Sequence, residues 1–182
     1  MAAENPCAEF FARLDRKIED LPEPDVCTAW EALTACPEHS PGPVEDNEEL
    51  RRRIIYPTHI DTADAPSPVC FSDLWSHGLS ADRVEYRTVG QSRADAIGAI
   101  DDWNFDNADK PKRSLRGFAI VSVSDLRRLK VNDIRALAIF DTAMPTNSSH
   151  ADVCAVGRMD KLAKRDLRTS VWHFLKKGLV AA

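Results

Sequence analysis

Apolar residues at helical spacing mark the N-terminal part of the chain. Four of them fall on one face of a helix: Phe10, Phe11, Leu14 and Ile18. Residues 5–6 (Asn-Pro) match an N-cap followed by proline at the first helical position. Residues 21–24 (LPEP) end this helix, because proline disfavours helical dihedrals in the residue before it. A second amphipathic helix over residues 25–36 completes a predicted helical hairpin within residues 1–36.

Short strand-like and helix-like patterns alternate through the rest of the chain. Apolar runs and alternation predict strands at residues 53–56, 83–89, 117–123, 135–140 and 152–156. Helical periodicity predicts helices at residues 92–105, 125–129 and 160–177. Too few residues join the last two strands for a helical crossover, so we expect these strands to be antiparallel neighbours. Together these elements predict an α+β fold, a mixed sheet of four to five strands with flanking helices, preceded by the helical hairpin.

The segment between the hairpin and the predicted sheet has the composition of a linker. Residues 37–47 (PEHSPGPVEDN) combine proline, glycine and acidic residues. The predicted organisation is therefore an acidic helical hairpin at 1–36, a linker at 37–47 and an α+β body at 48–182. The apolar side chains of the hairpin have to be buried, either against the body or against a partner, and we expect the body to cover them.

Charge is divided unevenly along the chain, although the formal net charge is only -5. Residues 1–109 hold 23 acidic and 9 basic residues, whereas residues 110–182 hold 6 acidic and 15 basic ones. Such a division indicates a basic surface that meets an anionic partner or the acidic half of the same protein. Solvated helix faces are the alternative explanation.

Composition narrows the class of protein. A hydrophobic fraction of 43% is enough for one sizeable core. No apolar run approaches the roughly 20 residues that span a bilayer, and the first residues lack a signal pattern, so we expect a cytoplasmic protein without membrane association. The 5 cysteines include no CxxC pair, which favours neither a disulfide framework nor a metal site. Richness in alanine, arginine and aspartate indicates a bacterial source.

Residues 134–157 contain the densest group of chemically reactive side chains. A polar loop between two apolar runs places Asp141 at the end of one strand and His150 and Asp152 at the start of the next. An imidazole oriented by a carboxylate suits general acid–base catalysis, which makes these three the candidate catalytic residues. The alternative is turn formation, because Asn, Ser and Asp side chains bond the local backbone. Cys154 lies in the predicted core strand and is expected to be a buried hydrophobic residue.

A second candidate site is the segment 79–83, LSADR. Ser80 and Arg83 suit the binding of an anionic group, because a guanidinium binds phosphate or carboxylate in a bidentate way. The alternative is a local turn in which Arg83 pairs with a neighbour. No GxxxxGK[ST] loop and no GxGxxG turn accompanies these residues, and we expect no cofactor.

The last predicted helix carries a basic stripe with an aromatic residue. Its members lie on one helical face: Lys161, Lys164, Arg165, Arg168 and Trp172. Cations with an interleaved aromatic ring suit a nucleic-acid strand. Docking of an acidic protein surface and simple solvation are the alternatives.

Three short motifs carry a resemblance. The pattern FS(x)6LSADR at residues 71–83 is followed by GFA at 117–119 and NSSHAD at 147–152. Over about residues 52–175 this resembles an uncharacterised type of small bacterial protein without a named family. The resemblance implies no activity and no catalytic residues.

These features support three hypotheses. The first is an accessory or regulatory interaction protein of a bacterial multi-component system, which binds a partner protein through the hairpin or the basic C-terminal surface. The second is a small enzyme that acts on a phosphate-bearing or nucleotide-like substrate with His150 as acid or base. The third is nucleic-acid binding through the basic last helix. The sequence alone does not decide between an enzyme and a binding protein.

Overall fold

A computed structural model describes residues 5–62, 65–175 and 179–181 of the chain. Its strands are β1 (Glu49–Tyr56), β2 (Leu79–Arg83), β3 (Ser114–Ser122), β4 (Lys130–Val131), β5 (Ile134–Arg135), β6 (Leu137–Asp141), β7 (His150–Ala155) and β8 (Leu179–Ala181). Six of them form one sheet in the order β6-β7-β2-β1-β3-β8, while β4 and β5 pair separately. The helices α1 (Pro6–Ala12), α2 (Pro24–Trp30), α3 (Val89–Asp106), α4 (Val123–Arg127) and α5 (Lys161–Leu175) complete the α+β fold that the sequence predicts.

Each pairing in the large sheet is antiparallel. The predicted antiparallel pairing of the last two core strands is confirmed as β6 against β7. β8 pairs with β3 and adds a strand that the apolar pattern does not predict. The sheet thus has six antiparallel strands, where the sequence predicts a mixed sheet of four to five.

The predicted strand at residues 83–89 is wrong. The strand β2 ends at Arg83, where the predicted strand begins, and Val84–Tyr86 forms a 3-10 helix instead. Thr88 does not continue a strand, because its side chain caps α3 in a capping box with Gln91. Residues 70–77, for which the pattern favours neither helix nor strand, fall mainly within the 3-10 helix Pro68–Trp75. Gly78 then turns the chain into β2 with a φ of +86°, a conformation that residues with a Cβ rarely adopt.

The two faces of the sheet differ in polarity. Side chains alternate between faces along a strand, so Leu50, Leu79 and Val153 fall on one face. There they form the larger core together with the 3-10 helix Pro68–Trp75 and the inner side of α5. The opposite face carries a row of polar residues on β1, β2 and β7, which no core cluster covers.

The N-terminal helices cover the β6 and β7 end of this second face. Cys7 and Cys27 pack with Ala138 and Phe140 in a second buried cluster. The rings of Phe11 and Phe140 lie 5.1 Å apart. The body of the protein therefore buries the apolar side of the hairpin.

The first helix is shorter than the apolar spacing predicts. It begins as predicted, with the Asn5 side chain accepting a hydrogen bond from the Ala8 N–H, but it ends at Ala12. Arg13 is extended, and Leu14 is fully exposed. The apolar spacing therefore overestimates the length of this helix, and Leu14 is not part of a buried helical face.

Part of the uneven charge is neutralised within the fold. The carboxylate of Glu31, in the acidic helical hairpin, lies 2.6 Å from Arg135 and 3.3 Å from Arg127. It also accepts a hydrogen bond from the Ile139 N–H at 2.7 Å, which ties the hairpin to the edge strand β6. The acidic N-terminal part thus contacts basic residues of the C-terminal part.

Candidate functional site

A cavity of about 470 Å³ opens between α3 and the polar face of the sheet. We call it the α3 pocket. Its polar strand residues come from three neighbouring strands: Arg51 and Arg53 of β1, Ser80 and Asp82 of β2, and His150 of β7. They converge because Arg51 lies opposite Asp82, and Asp82 lies opposite His150, and directly opposed residues share a face. The helix α3 and the loop at residues 144–147 form the other walls.

A chain of hydrogen bonds leads from the sheet to His150. The Ser80 hydroxyl donates to Asp152 Oδ1 at 3.2 Å, and the Thr142 hydroxyl donates to Asp152 Oδ2 at 3.2 Å. The Thr142 oxygen in turn lies 2.8 Å from His150 Nδ1. Asp152 is 3% exposed, so these hydroxyls replace the water that its carboxylate has lost.

This chain assigns the tautomer of His150. The single hydroxyl hydrogen of Thr142 goes to Asp152, because a carboxylate only accepts. The Thr142 oxygen must then accept from His150, so Nδ1 carries the proton. The Thr142 carbonyl oxygen, 3.2 Å from Nδ1, is a second acceptor that favours the same tautomer. Nε2 is left as a hydrogen-bond acceptor, and it makes no hydrogen bond to any part of the chain that the structure describes.

Two arginine side chains give the pocket a cationic side. Arg51 donates to the Ser92 hydroxyl at 3.0 Å and to the Arg87 carbonyl oxygen at 2.9 Å. The Arg53 side chain has neither a hydrogen bond nor an ion pair within residues 5–62, 65–175 and 179–181. Neither guanidinium forms a salt bridge with a carboxylate of the described chain, so each remains available to an anionic ligand.

Carboxylates of β2 and α3 line the same pocket. On β2, Asp82 accepts hydrogen bonds from Ser92 at 2.5 Å and from the Asn147 amide at 2.8 Å. On α3, Asp95 forms an ion pair with Arg87, and Asp102 lies further along the helix. The pocket therefore presents acceptors both beside the arginines, at Asp82, and along the helix, at Asp102.

Asp141 and Arg83 lie together on the opposite face of the sheet. Arg83 is 1% exposed and binds Glu48 in a bidentate way at 2.6 and 2.7 Å. It also donates to the carbonyl oxygens of Gly42 and Pro43. Asp141 lies 3.6 Å from the guanidinium, and burial raises the pKa of its carboxyl. The anion that Arg83 holds in this structure is Glu48 rather than a ligand from solvent.

The structure thus divides the predicted site residues into separate groups. His150, Asp152 and Ser80 share the α3 pocket and its hydrogen-bond chain, whereas Asp141 and Arg83 do not reach it. The sequence does not single out Arg51 or Arg53. A signal for the arginines exists, because residues two positions apart on a strand share a face.

The basic residues of α5 also separate. Lys161, Lys164 and Arg168 line a groove beside Trp75, while Arg165 lies next to Asp166. Trp172 is not among the residues that line this groove, and its ring packs against Phe71, with 6.2 Å between centroids. The aromatic residue that lies beside these cations is Trp75.

Four of the five cysteine side chains are buried in the core, and Cys36 is half-buried. Burial raises the pKa of the Cys7, Cys27 and Cys70 thiols to about 12, and that of Cys154 well above its usual value. These thiols stay protonated at neutral pH, so none of them is an activated nucleophile. Within the described chain, no group of His, Cys, Asp and Glu side chains has the arrangement of a metal site.

Comparisons with protein-family models, curated proteins and solved structures found no match to this chain. Among the described residues, no helix combines the length and the apolar character needed to cross a bilayer.

Proposed function

We propose that the α3 pocket binds a small phosphate-bearing, nucleotide-like molecule and that His150 acts on it as a general base. The observation that carries this proposal is the coincidence of three features in one cavity. His150 has a fixed Nδ1–H, its Nε2 is without a partner in the described chain, and two arginines that pair with no carboxylate among the same residues line the cavity. The volume of about 470 Å³ falls in the range of small-molecule sites, roughly 300–1,000 Å³.

The distribution of charge in the pocket sets the orientation of the ligand. The phosphate group lies at the β1 side, where Arg51 and Arg53 supply cationic donors. The opposite end of the ligand lies near Asp102 of α3, whose carboxylate accepts hydrogen bonds from hydroxyl or amino groups. A nucleotide carries both kinds of group at opposite ends.

His150 contributes the proton transfer. Its Nε2 takes a proton from a hydroxyl group of the ligand or from a water molecule, and the positive charge on the ring is stabilised by Asp152 through Thr142. General bases of this kind contribute about 10²–10⁴-fold to a rate. Ser80 holds the other carboxylate oxygen and keeps Asp152 in place.

Isothermal titration calorimetry with nucleoside monophosphates tests the binding step. Arg53→Ser is expected to weaken the binding of a monophosphate by roughly tenfold or more, because a charged hydrogen bond contributes about 1.5–3 kcal/mol. The matched control is Arg93→Ser on α3, since Arg93 is exposed, does not line the pocket and carries the same charge. The proposal is contradicted if no monophosphate binds, or if the two variants bind equally well.

The second candidate function is the binding of a partner protein by the acidic helical hairpin. The observation in its favour is that Leu14 and Val26 remain exposed, whereas the larger apolar side chains around them are buried or half-buried on the body. An accessory or regulatory role in a multi-component system would use these two side chains. Leu14→Asp together with Val26→Asp is expected to abolish a complex that the wild-type protein forms in size-exclusion chromatography of its native lysate. Unchanged migration of the variant would contradict this role.

The cytoplasm of a bacterium is the proposed location. All five cysteines, at positions 7, 27, 36, 70 and 154, are free thiols. Unpaired cysteines are typical of a reducing compartment.

A further inference from the structure

A positively charged groove lies between the 3-10 helix Pro68–Trp75 and α5, on the face of the sheet opposite the α3 pocket. It has a volume of about 370 Å³ and five lining residues: Ser72, Trp75, Lys161, Lys164 and Arg168. We call it the α5 groove. Every charged residue that lines it is a cation, so its potential is positive.

The cations of this groove differ from several other basic side chains of the fold. Arg83, Arg127 and Arg135 are all paired with carboxylates. Lys161, Lys164 and Arg168 form no ion pair within the part of the chain that the structure describes. Their charge is thus available to a ligand in solution.

The spacing of these cations suits an extended ligand. Positions 161, 164 and 168 lie on one side of α5 and span about 10 Å along the helix axis. A compact anion contacts only part of such a row, whereas a chain of phosphates contacts all of it.

Trp75 adds an aromatic wall to the row of cations. One side of the indole packs against the larger core, and the ring also lines the groove. The Lys164 ammonium lies 6.0 Å from the ring centroid. A single nucleotide is large enough to place its base against the indole and its phosphate beside Lys164.

We propose that the α5 groove binds a single-stranded nucleic acid. The row of cations matches a phosphodiester backbone, and the indole beside it matches a base. An acidic peptide uses the cations but has no group that requires the aromatic wall. This surface is separate from the α3 pocket, so neither proposal depends on the other.

The test is fluorescence anisotropy of the full-length protein with a fluorescein-labelled oligouridine of about 12 nucleotides at low salt. Binding is expected to weaken with salt, with a slope of log K against log salt of about -2 for three phosphate contacts. Lys164→Glu combined with Arg168→Glu is expected to weaken binding by about tenfold or more. The control is Arg93→Glu combined with Arg128→Glu, which changes the net charge equally at two exposed positions outside the groove.

Two variants of Trp75 test the aromatic wall. Trp75→Leu is expected to weaken oligouridine binding by about fivefold or more, whereas Trp75→Phe retains it, because only the second keeps a stacking surface. Circular dichroism of both variants establishes that they fold alike. Three results would overturn the proposal: no binding at low salt, equal loss in the groove variant and its control, or equally tight binding of a polyglutamate of the same length.

Discussion

Replacing Arg83 by alanine is expected to lower the free energy of unfolding by about 3–5 kcal/mol, because it leaves buried carboxylates without their cation. Glu48 loses a bidentate partner at 2.6 and 2.7 Å, and Asp141 loses the positive charge 3.6 Å away. The carbonyl oxygens of Gly42 and Pro43 lose their donors at the same time. Urea unfolding followed by circular dichroism measures the change.

The matched control for this change is Arg128→Ala. Arg128 pairs with Asp125 at 3.7 Å, but both side chains are solvent-exposed. Exposed pairs contribute about 0–1 kcal/mol, so this variant is expected to unfold close to the wild-type midpoint. Arg83 connects the segment at residues 37–47 to the sheet through the carbonyl oxygens of Gly42 and Pro43. A similar small loss of stability in both variants would show that these contacts do not stabilise the fold.

Replacing Thr142 by valine has the second largest expected effect. Valine has nearly the same shape but cannot donate to Asp152, which then keeps only the Ser80 hydroxyl among its side-chain donors. An unsatisfied buried acceptor costs about 1–3 kcal/mol, and we expect the free energy of unfolding to fall by that amount. The same change removes the hydroxyl acceptor of His150 Nδ1, so only the carbonyl oxygen of residue 142, at 3.2 Å, is left to accept from this nitrogen.

Thr169→Val is the control for this prediction. The Thr169 hydroxyl donates to a carbonyl oxygen of its own helix on the exposed side of α5. Its loss is expected to change stability by less than about 0.5 kcal/mol, as is usual for exposed positions. If Thr142→Val is as stable as Thr169→Val, the hydrogen-bond chain does not order the site.

The sequence predicts the buried strands of the sheet better than its polar ones. The apolar runs at 135–140 and 152–156 correctly indicate two antiparallel neighbours, now β6 and β7. The strand β2 escapes the pattern because its buried face ends in a charged residue, Arg83, instead of an apolar one. A strand whose buried face carries a paired charge is thus hard to recognise from apolar spacing alone.

The candidate site is only partly predictable for a related reason. His150 and Asp152 are close in sequence and belong to one strand, so local spacing identifies them. Arg83 looks like a solvent-accessible anion clamp because its partner, Glu48, is 35 residues away along the chain. The three arginines at 51–53 look like a surface run, yet Arg52 turns to the opposite face and binds Asp73 at 2.8 Å. Only the structure of the sheet shows that Arg51 and Arg53 lie on the pocket face and Arg52 on the other.

The nitrogen chemical shifts of His150 test the central claim most directly. We expect ¹⁵N NMR of the labelled protein at mildly alkaline pH, assigned with His150→Gln, to show the neutral tautomer with its proton on Nδ1. Addition of a nucleoside monophosphate is expected to shift the Nε2 resonance of His150, because the ligand binds beside this atom. A proton on Nε2, together with no change at either nitrogen on addition of each of the monophosphates, would contradict a ligand site at His150.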